Sequence, residues 1–268
     1  MRPAVSQPAP AVVLVDAGEG YAFPAIRAGL DRAVPVAKSY GMAALGVRRS
    51  HHCGVLGLYA EQLAEQGLIS LIFSNTPAAM APWGGSKASF GTNPIAFGCP
   101  RAGAAPLVID LSLSKVARGK VMSAKQRGEA IPEGWALDAQ GRPTTDPEAA
   151  LKGTMIPLGD AKGSALALMV EVLAAALTGS NYAFEASSFF EAEGPAPGIG
   201  QTFLLIDPRP FNANFAQKVE QLFGQILAQE GTRLPGERRM ERRRANRAAG
   251  VELPDALHAD LKRRAGRD

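Results

Sequence analysis

Two of the three histidines in the chain stand side by side, in His51-His52-Cys53-Gly54. Imidazole is the side chain best matched to moving a proton near neutral pH. The pair follows an apolar run, Met42-Ala43-Ala44-Leu45-Gly46-Val47, and precedes a helical pattern that starts at Val55. Polar groups recur where other apolar runs stop, at Ser74-Asn75-Thr76 and at Asp110-Leu111-Ser112-Leu113-Ser114, and Lys162-Gly163 opens an apolar helix. The ends of strands are where α/β proteins place ligands. On spacing alone the two histidines read equally well as a helix cap with a packed neighbour, or as a proton-transfer group. Asn75 and Asp110 have a turn-forming alternative, and Lys162 that of a surface lysine at a helix start. Cys53 reads as a small core residue, because no second thiol or metal ligand stands at a useful spacing.

The elements that must position these groups alternate along the chain. Residues 1–10 are Pro-rich and read as an extended leader. Strands are expected at 11–15, 42–47, 68–73, 95–98, 107–109 and 203–206, from short apolar runs bounded by Gly, Pro, Asn and Ser. Helices are expected at 24–40, 55–66, 164–177 and 214–228, with a polar helical tail from residue 235. Pro35 predicts a kink or break in the first helix, and Gly41 a C-cap. The 164–177 helix is apolar nearly all round and predicts full burial. Residues 115–161 read as a fixed irregular excursion, and 179–200 as a loop. Trp83, in Pro82-Trp83-Gly84-Gly85, reads as a loop anchor.

Composition removes several classes. The chain has 268 residues, 46% apolar and 20% charged, enough for a substantial core and ordinary for a globular protein. No GxGxxG opens a helix and no GxxxxGK[ST] occurs, so the usual Rossmann and P-loop signatures are missing. Cys53 and Cys99 give neither a disulfide framework nor a metal-binding spacing, which fits a reducing compartment and a cytoplasmic protein. The N-terminus has no apolar signal region. The longest apolar stretch, 165–177, is too short to span a bilayer and contains Glu171, so no membrane role is expected. From Arg233 onward there are 11 basic and 6 acidic residues, against 18 and 19 in the rest, so the net +4 belongs to the tail. The basic run Arg238-Arg239-Met240-Glu241-Arg242-Arg243-Arg244 has no interleaved aromatics and reads as a solvated helix face, with no nucleic-acid partner expected.

One ordered set of motifs covers nearly the whole chain. It comprises Arg49-Ser50-His51-His52-Cys53-Gly54, Pro82-Trp83-Gly84-Gly85, Phe90-Gly91-Thr92-Asn93-Pro94 and Ile109-Asp110-Leu111-Ser112-Leu113-Ser114. Ile131–Asp138, Pro143-Thr144-Thr145-Asp146-Pro147, Pro157-Leu158-Gly159-Asp160-Ala161-Lys162-Gly163, Gly200-Gln201 before a strand ending in Asp207-Pro208, and Leu234-Pro235-Gly236-Glu237 complete it. In this set the chain resembles the malate/L-lactate/sulfolactate dehydrogenase-like oxidoreductases. Cys53-Gly54-Val55-Leu56-Gly57 and residues 144–153 resemble the 3-sulfolactate dehydrogenase branch. Ser164-Ala165-Leu166 and Leu177-Thr178-Gly179-Ser180-Asn181 resemble the cyclic-imine reductases acting on piperideine- and pyrroline-2-carboxylate, which is the alternative reading.

The resemblance implies an α/β (α+β) fold: a non-Rossmann nicotinamide-cofactor-binding domain with a mixed β-sheet and packed helices at 11–210, plus a C-terminal helical segment at 211–268. It implies hydride transfer between NAD or NADP and a small 2-hydroxy or 2-oxo acid, by a homodimer with no metal. It makes His52 and Lys162 the catalytic candidates. It places Asn75, Asp110, Leu111, Ser112, Leu113, Ser114, Lys162, Pro235, Gly236 and Glu237 at the cofactor. Family members normally carry a helical segment ahead of the first β-unit, with a Ser-His-Gly motif and an arginine that grips the substrate carboxylate. No histidine precedes His51 here. The expectation that follows is either a start placed too late or a truncated form, and an inactive cofactor-binding remnant is the alternative from another class.

Overall fold

The computed structural model describes residues 2–191 and 193–266. In chain order its elements begin with β1 (Ala4–Ala9), β2 (Val12–Asp16), α1 (Ala22–Tyr40), β3 (Met42–Ser50), α2 (Leu56–Glu65) and β4 (Ile69–Ser74). β5 (Ile95–Cys99), β6 (Leu107–Leu111) and α3 (Arg118–Arg127) follow. The small elements β7 (Ala136–Leu137), β8 (Pro143–Thr144), α4 (Pro147–Lys152) and β9 (Thr154–Met155) come next. The order ends with α5 (Ala161–Val170), a π-helical continuation (Glu171–Ala176), β10 (Ile199–Ile206), α6 (Phe215–Leu227), α7 (Glu237–Ala249) and α8 (Asp255–Arg264).

Seven strands form one sheet in the order β1-β2-β3-β10-β4-β5-β6, in which only β2 and β3 run parallel. The mixed sheet agrees with the expected fold class. Strands at its centre are apolar on both faces, because both faces are covered. On β4, Ile72 joins the cluster under α1 and α2, while Leu71 and Phe73 join the cluster on the opposite face. On β10, Phe203 and Leu205 take the first face and Leu204 the second. Phe203 is wholly buried at the sheet centre, where truncation to Ala is worth about 3–5 kcal/mol. The second face also packs against α5 and the three-stranded sheet β8-β7-β9.

Several expectations need correction. Ala4–Ala9 of the extended leader form strand β1, paired antiparallel with β2, a pairing that was not expected. α1 runs unbroken through Pro35. That residue lies on the exposed side, where solvent can satisfy the carbonyl that the ring deprives of its partner. The excursion at 115–161 contains two helices and a small sheet. α3 escaped notice because only Val121 and Ala124 of it are buried, which gives no helical apolar period. The 164–177 helix is buried on one side only. Its small residues Gly163, Ala167, Ala174 and Ala175 face inward, and Leu166, Leu168, Met169, Val172 and Leu177 are exposed.

Two compact units divide between Leu222 and Phe223. The first holds both sheets. The second holds the end of α6 with α7 and α8, neither of which has a buried residue. Among the described residues no helix is long and apolar enough to cross a membrane.

Candidate active site

β3 outlasts its apolar run and carries Arg48, Arg49 and Ser50 to the sheet's end. A bulge opposite Ile199–Gln201 and a left-handed Arg49, at φ 49°, turn the chain out of the sheet. Arg48 and Arg49 both reach Asp16, at 3.3 and 3.6 Å. His51 N–H donates to Gly20 O at 3.1 Å, which fixes the exit. The His51 Nδ1 accepts the His52 amide at 2.6 Å, and the His52 Nδ1 accepts the Gly54 amide at 2.9 Å. An imidazole whose Nδ1 accepts a backbone N–H carries its proton on Nε2. His52 is therefore set up as a hydrogen-bond donor through Nε2. Gly54 can turn its amide back because it sits at φ 74°, a conformation that favours glycine.

Phe189 stacks on His51, with ring centroids 5.2 Å apart and planes at 26°, and meets His52 edge-on at the same separation. Tyr21 closes the other side of His51 at 4.8 Å. Burial lowers the pKa of His51, and the neighbouring His52 lowers it further. His51 is thus a packed partner with a weakened hold on a second proton, while His52 faces a pocket.

That pocket has a volume of about 500 Å³ and is lined by His52, Thr76, Thr92, Ser112, Arg118 and the aromatic loop of Phe184, Phe189 and Phe190. Arg118 is the feature that the sequence reading missed. It is the first residue of α3, and its guanidinium donates to Leu151 O at 3.3 Å. Among the described residues no carboxylate lies within ion-pair distance of it. Burial lowers its pKa, so the site holds a partly desolvated cation at the positive end of a helix, ready for an anion. The available signal was the basic cluster Lys115, Arg118 and Lys120, directly after the polar segment 110–114.

The remaining candidates are spread around this pocket. Ser112 is on its wall, and its hydroxyl receives that of Ser114 at 3.2 Å. Ser114 and Leu113 are buried behind it, and Leu111 is exposed at the end of β6. Asp110 accepts the Gly57 amide at 2.7 Å and so caps the first turn of α2. Asn75 is wholly buried and bonds Asn181 O at 2.8 Å and Gly200 N at 2.9 Å. Lys162 is exposed in the first turn of α5 and does not line the pocket. Pro235, Gly236 and Glu237 belong to the second compact unit, where Gly236 is the left-handed N-cap of α7. Trp83 is largely exposed beside a second cavity of about 570 Å³. Its loop is held by the backbone, Trp83 N–H to Ser164 Oγ at 2.9 Å, and not by the indole.

Residues 1–262 match the malate/L-lactate dehydrogenase family. The chain belongs to that family. It is 57% identical over 251 residues to the (2R)-3-sulfolactate dehydrogenase (NADP(+)) of Chromohalobacter salexigens, covering 94% of this chain and 75% of that one. Among solved structures it is similar to the delta1-piperideine-2-carboxylate reductase of Pseudomonas syringae pv. tomato. There the TM-score is 0.91 and the identity 41%, over 97% of this chain and 78% of that one. The sulfolactate dehydrogenase of Methanocaldococcus jannaschii gives a TM-score of 0.86 at 32% identity, over 97% and 77%. As a malate/L-lactate dehydrogenase family member the chain is an NAD(P)-dependent oxidoreductase that transfers hydride to and from a small 2-oxo or 2-hydroxy acid.

The residues present fit such a cofactor and such a substrate. Arg118, without an ion pair among the described residues, offers a charge for a carboxylate, sulfonate or phosphate in a pocket that Glu191 also lines. Thr76, Thr92 and Ser112 offer hydroxyls, and Phe184 and Phe190 offer exposed flat faces. Gly91 lets two wall segments touch, because a Cβ there would overlap the Thr76 carbonyl and hydroxyl.

Proposed function

We propose that this chain is an NADP-dependent 3-sulfolactate dehydrogenase. The observation that carries this reading is the 57% identity, across nearly the whole chain, with a protein of that activity. The pocket supports it through Arg118, whose charge suits a dianion bearing a carboxylate and a sulfonate. Bound NADP would supply the hydride acceptor for C2 of the hydroxy acid, and the hydroxyl proton would pass to solvent water as the carbonyl forms. In this reading His52 Nε2–H donates to the substrate's C2 oxygen and holds it, while Arg118 grips an anionic group. Ser112, Thr76 and Thr92 contact the cofactor, and the aromatic loop keeps water from the reacting carbon. Asn75, Asp110, Leu111, Leu113 and Ser114 brace the wall that presents those hydroxyls. Lys162 meets the cofactor away from the reacting end.

The imine reductases are the second reading, favoured by the 0.91 TM-score with the piperideine-2-carboxylate enzyme. The exposed row Leu166, Met169, Val172 and Leu177 supports a homodimer. The two free, buried thiols support a cytoplasmic location. The deciding experiment follows NADPH absorbance with 3-sulfolactate, malate, lactate and pyrroline-2-carboxylate, alongside NADPH binding by fluorescence. Turnover highest with 3-sulfolactate supports the reading. Preference for the cyclic imine hands the site to the second reading, and neither binding nor turnover refutes both.

A further inference from the structure

We propose that Glu171 is a positioning residue: its carboxylate ties together three of the segments that wall the active-site pocket, and through them sets the places of Thr76 and Thr92. The inference deepens the reading of that pocket as the active site and rests on it. Glu171 is the only charged residue in the apolar stretch from Ala165 to Leu177, and it is 4% exposed. It is also where α5 passes into π-helical register, with Leu177 N–H bonded to Val172 O at 2.9 Å. A π-turn adds a residue to the spiral and is common where a helix serves a site.

Among the described residues, the groups hydrogen-bonded to the carboxylate are N–H donors. Asn93 Nδ2 reaches Oε1 at 2.8 Å, and the Ala183 amide reaches Oε2 at 3.1 Å. Asn75 Nδ2 lies 3.5 Å from Oε2, and the Gly91 backbone favours the charged form. These donors come from three separate stretches of chain, each of which lines the pocket directly: Thr76 after Asn75, Thr92 between Gly91 and Asn93, and Phe184 after Ala183. The Thr92 amide in turn donates to Thr76 Oγ1 at 2.9 Å, which locks the first two stretches together. Asn93 depends on this anchor most. Its backbone is left-handed, at φ 41°, and its buried Oδ1 has no partner, so its amide is held through Nδ2 by Glu171 and by Ala167 O at 3.0 Å.

Burial pushes the Glu171 carboxyl above its ordinary range and the N–H groups around it act against that, and a carboxylate is the one side chain of this shape that can accept from Asn93, Ala183 and Asn75 together. A glutamine keeps one accepting oxygen and turns an NH₂ towards N–H groups. Glu171→Gln is therefore expected to speed amide exchange at least tenfold at Gly91, Thr92 and Ala183 together. Exchange across Thr202–Leu205 of β10 stays at the wild-type rate. Glu171→Asp, which keeps the charge one methylene short, falls between the two and carries the same readings if the Gln variant does not fold. The kcat/KM for 3-sulfolactate with NADP is expected to fall in the same order, by at least tenfold in Glu171→Gln, with more of the loss in kcat than in KM. Unchanged exchange at the three amides, equal acceleration in β10, or full activity in a variant with loosened walls each overturns the proposal. A wild-type chain that neither binds NADPH nor turns over defeats the reading of the pocket instead, and the exchange pattern still decides the role of Glu171.

Discussion

Replacing Arg118 by Met keeps the stem that packs in the pocket and removes only the charge and its five donors. In the free protein that guanidinium has one neutral acceptor, Leu151 O, and partial burial strips some of its water. A charge-assisted hydrogen bond to a substrate anion is worth about 1.5–3 kcal/mol, which converts to a loss of roughly 10- to 150-fold in kcat/KM. The bond to Leu151 O contributes about 0.5–1.5 kcal/mol to stability, so the melting temperature drops by only a few degrees. Initial rates with NADP and a 3-sulfolactate series measure the first quantity, and thermal denaturation without substrate the second. Arg118→Lys keeps the charge without the planar fork and is expected to recover part of the loss. A Met variant within threefold of wild type in kcat/KM would show that the pocket's cation does not touch the substrate.

Three further outcomes follow from the same geometry. Phe189→Ala opens His51 to solvent and so raises its pKa towards the ordinary imidazole value; NMR titration of the three histidines reads this, and an unmoved His51 refutes the shielding role. Asp110→Ala uncaps α2 and lowers stability by about 1 kcal/mol, roughly 2–4 °C in Tm, whereas an effect on NADPH affinity with no change in Tm assigns Asp110 to the cofactor alone. Burial pushes the Cys53 and Cys99 thiols up to about 11, so about one in a thousand is thiolate at pH 8. Native protein should resist maleimide for hours and label twice in urea, and labelling within minutes in the native state contradicts the burial.

The sheet was legible where it is buried on both sides. β4 and β10 are apolar runs, and Gly41 caps α1 in the left-handed conformation as expected. The small elements between β6 and α5 were not legible, because their order comes from contacts distant in sequence. Ile131 N–H bonds Thr145 O at 2.9 Å, and Met155 N–H bonds Ala79 O at 2.7 Å. In the site, strand-end position marked His52 and Ser112, which line the pocket. Arg118 and Glu171 escaped for opposite reasons. Arg118 sits on a helix without an apolar period, and Glu171 in a helix so apolar that a lone carboxylate read only as an argument against a membrane span. Neither pattern reveals that a charge is desolvated, since that depends on what packs around it.

The π-helical turn at Glu171–Ala176 has a consequence for how the chain tolerates change in length. One extra residue rotates everything downstream by about 100° relative to a regular helix. Thr178 and Ser180 then lie against Gly200 at the start of β10, the Asn181 amide bonds Gly198 O just before it, and the aromatic loop that follows lines the pocket. Deleting a single alanine from 174–176 would give a more regular helix and a misdirected loop. The extra residue thus works as an angular gauge, setting by count the direction in which the pocket's far wall departs, while the Glu171 contact with the Ala183 amide holds the wall where it arrives.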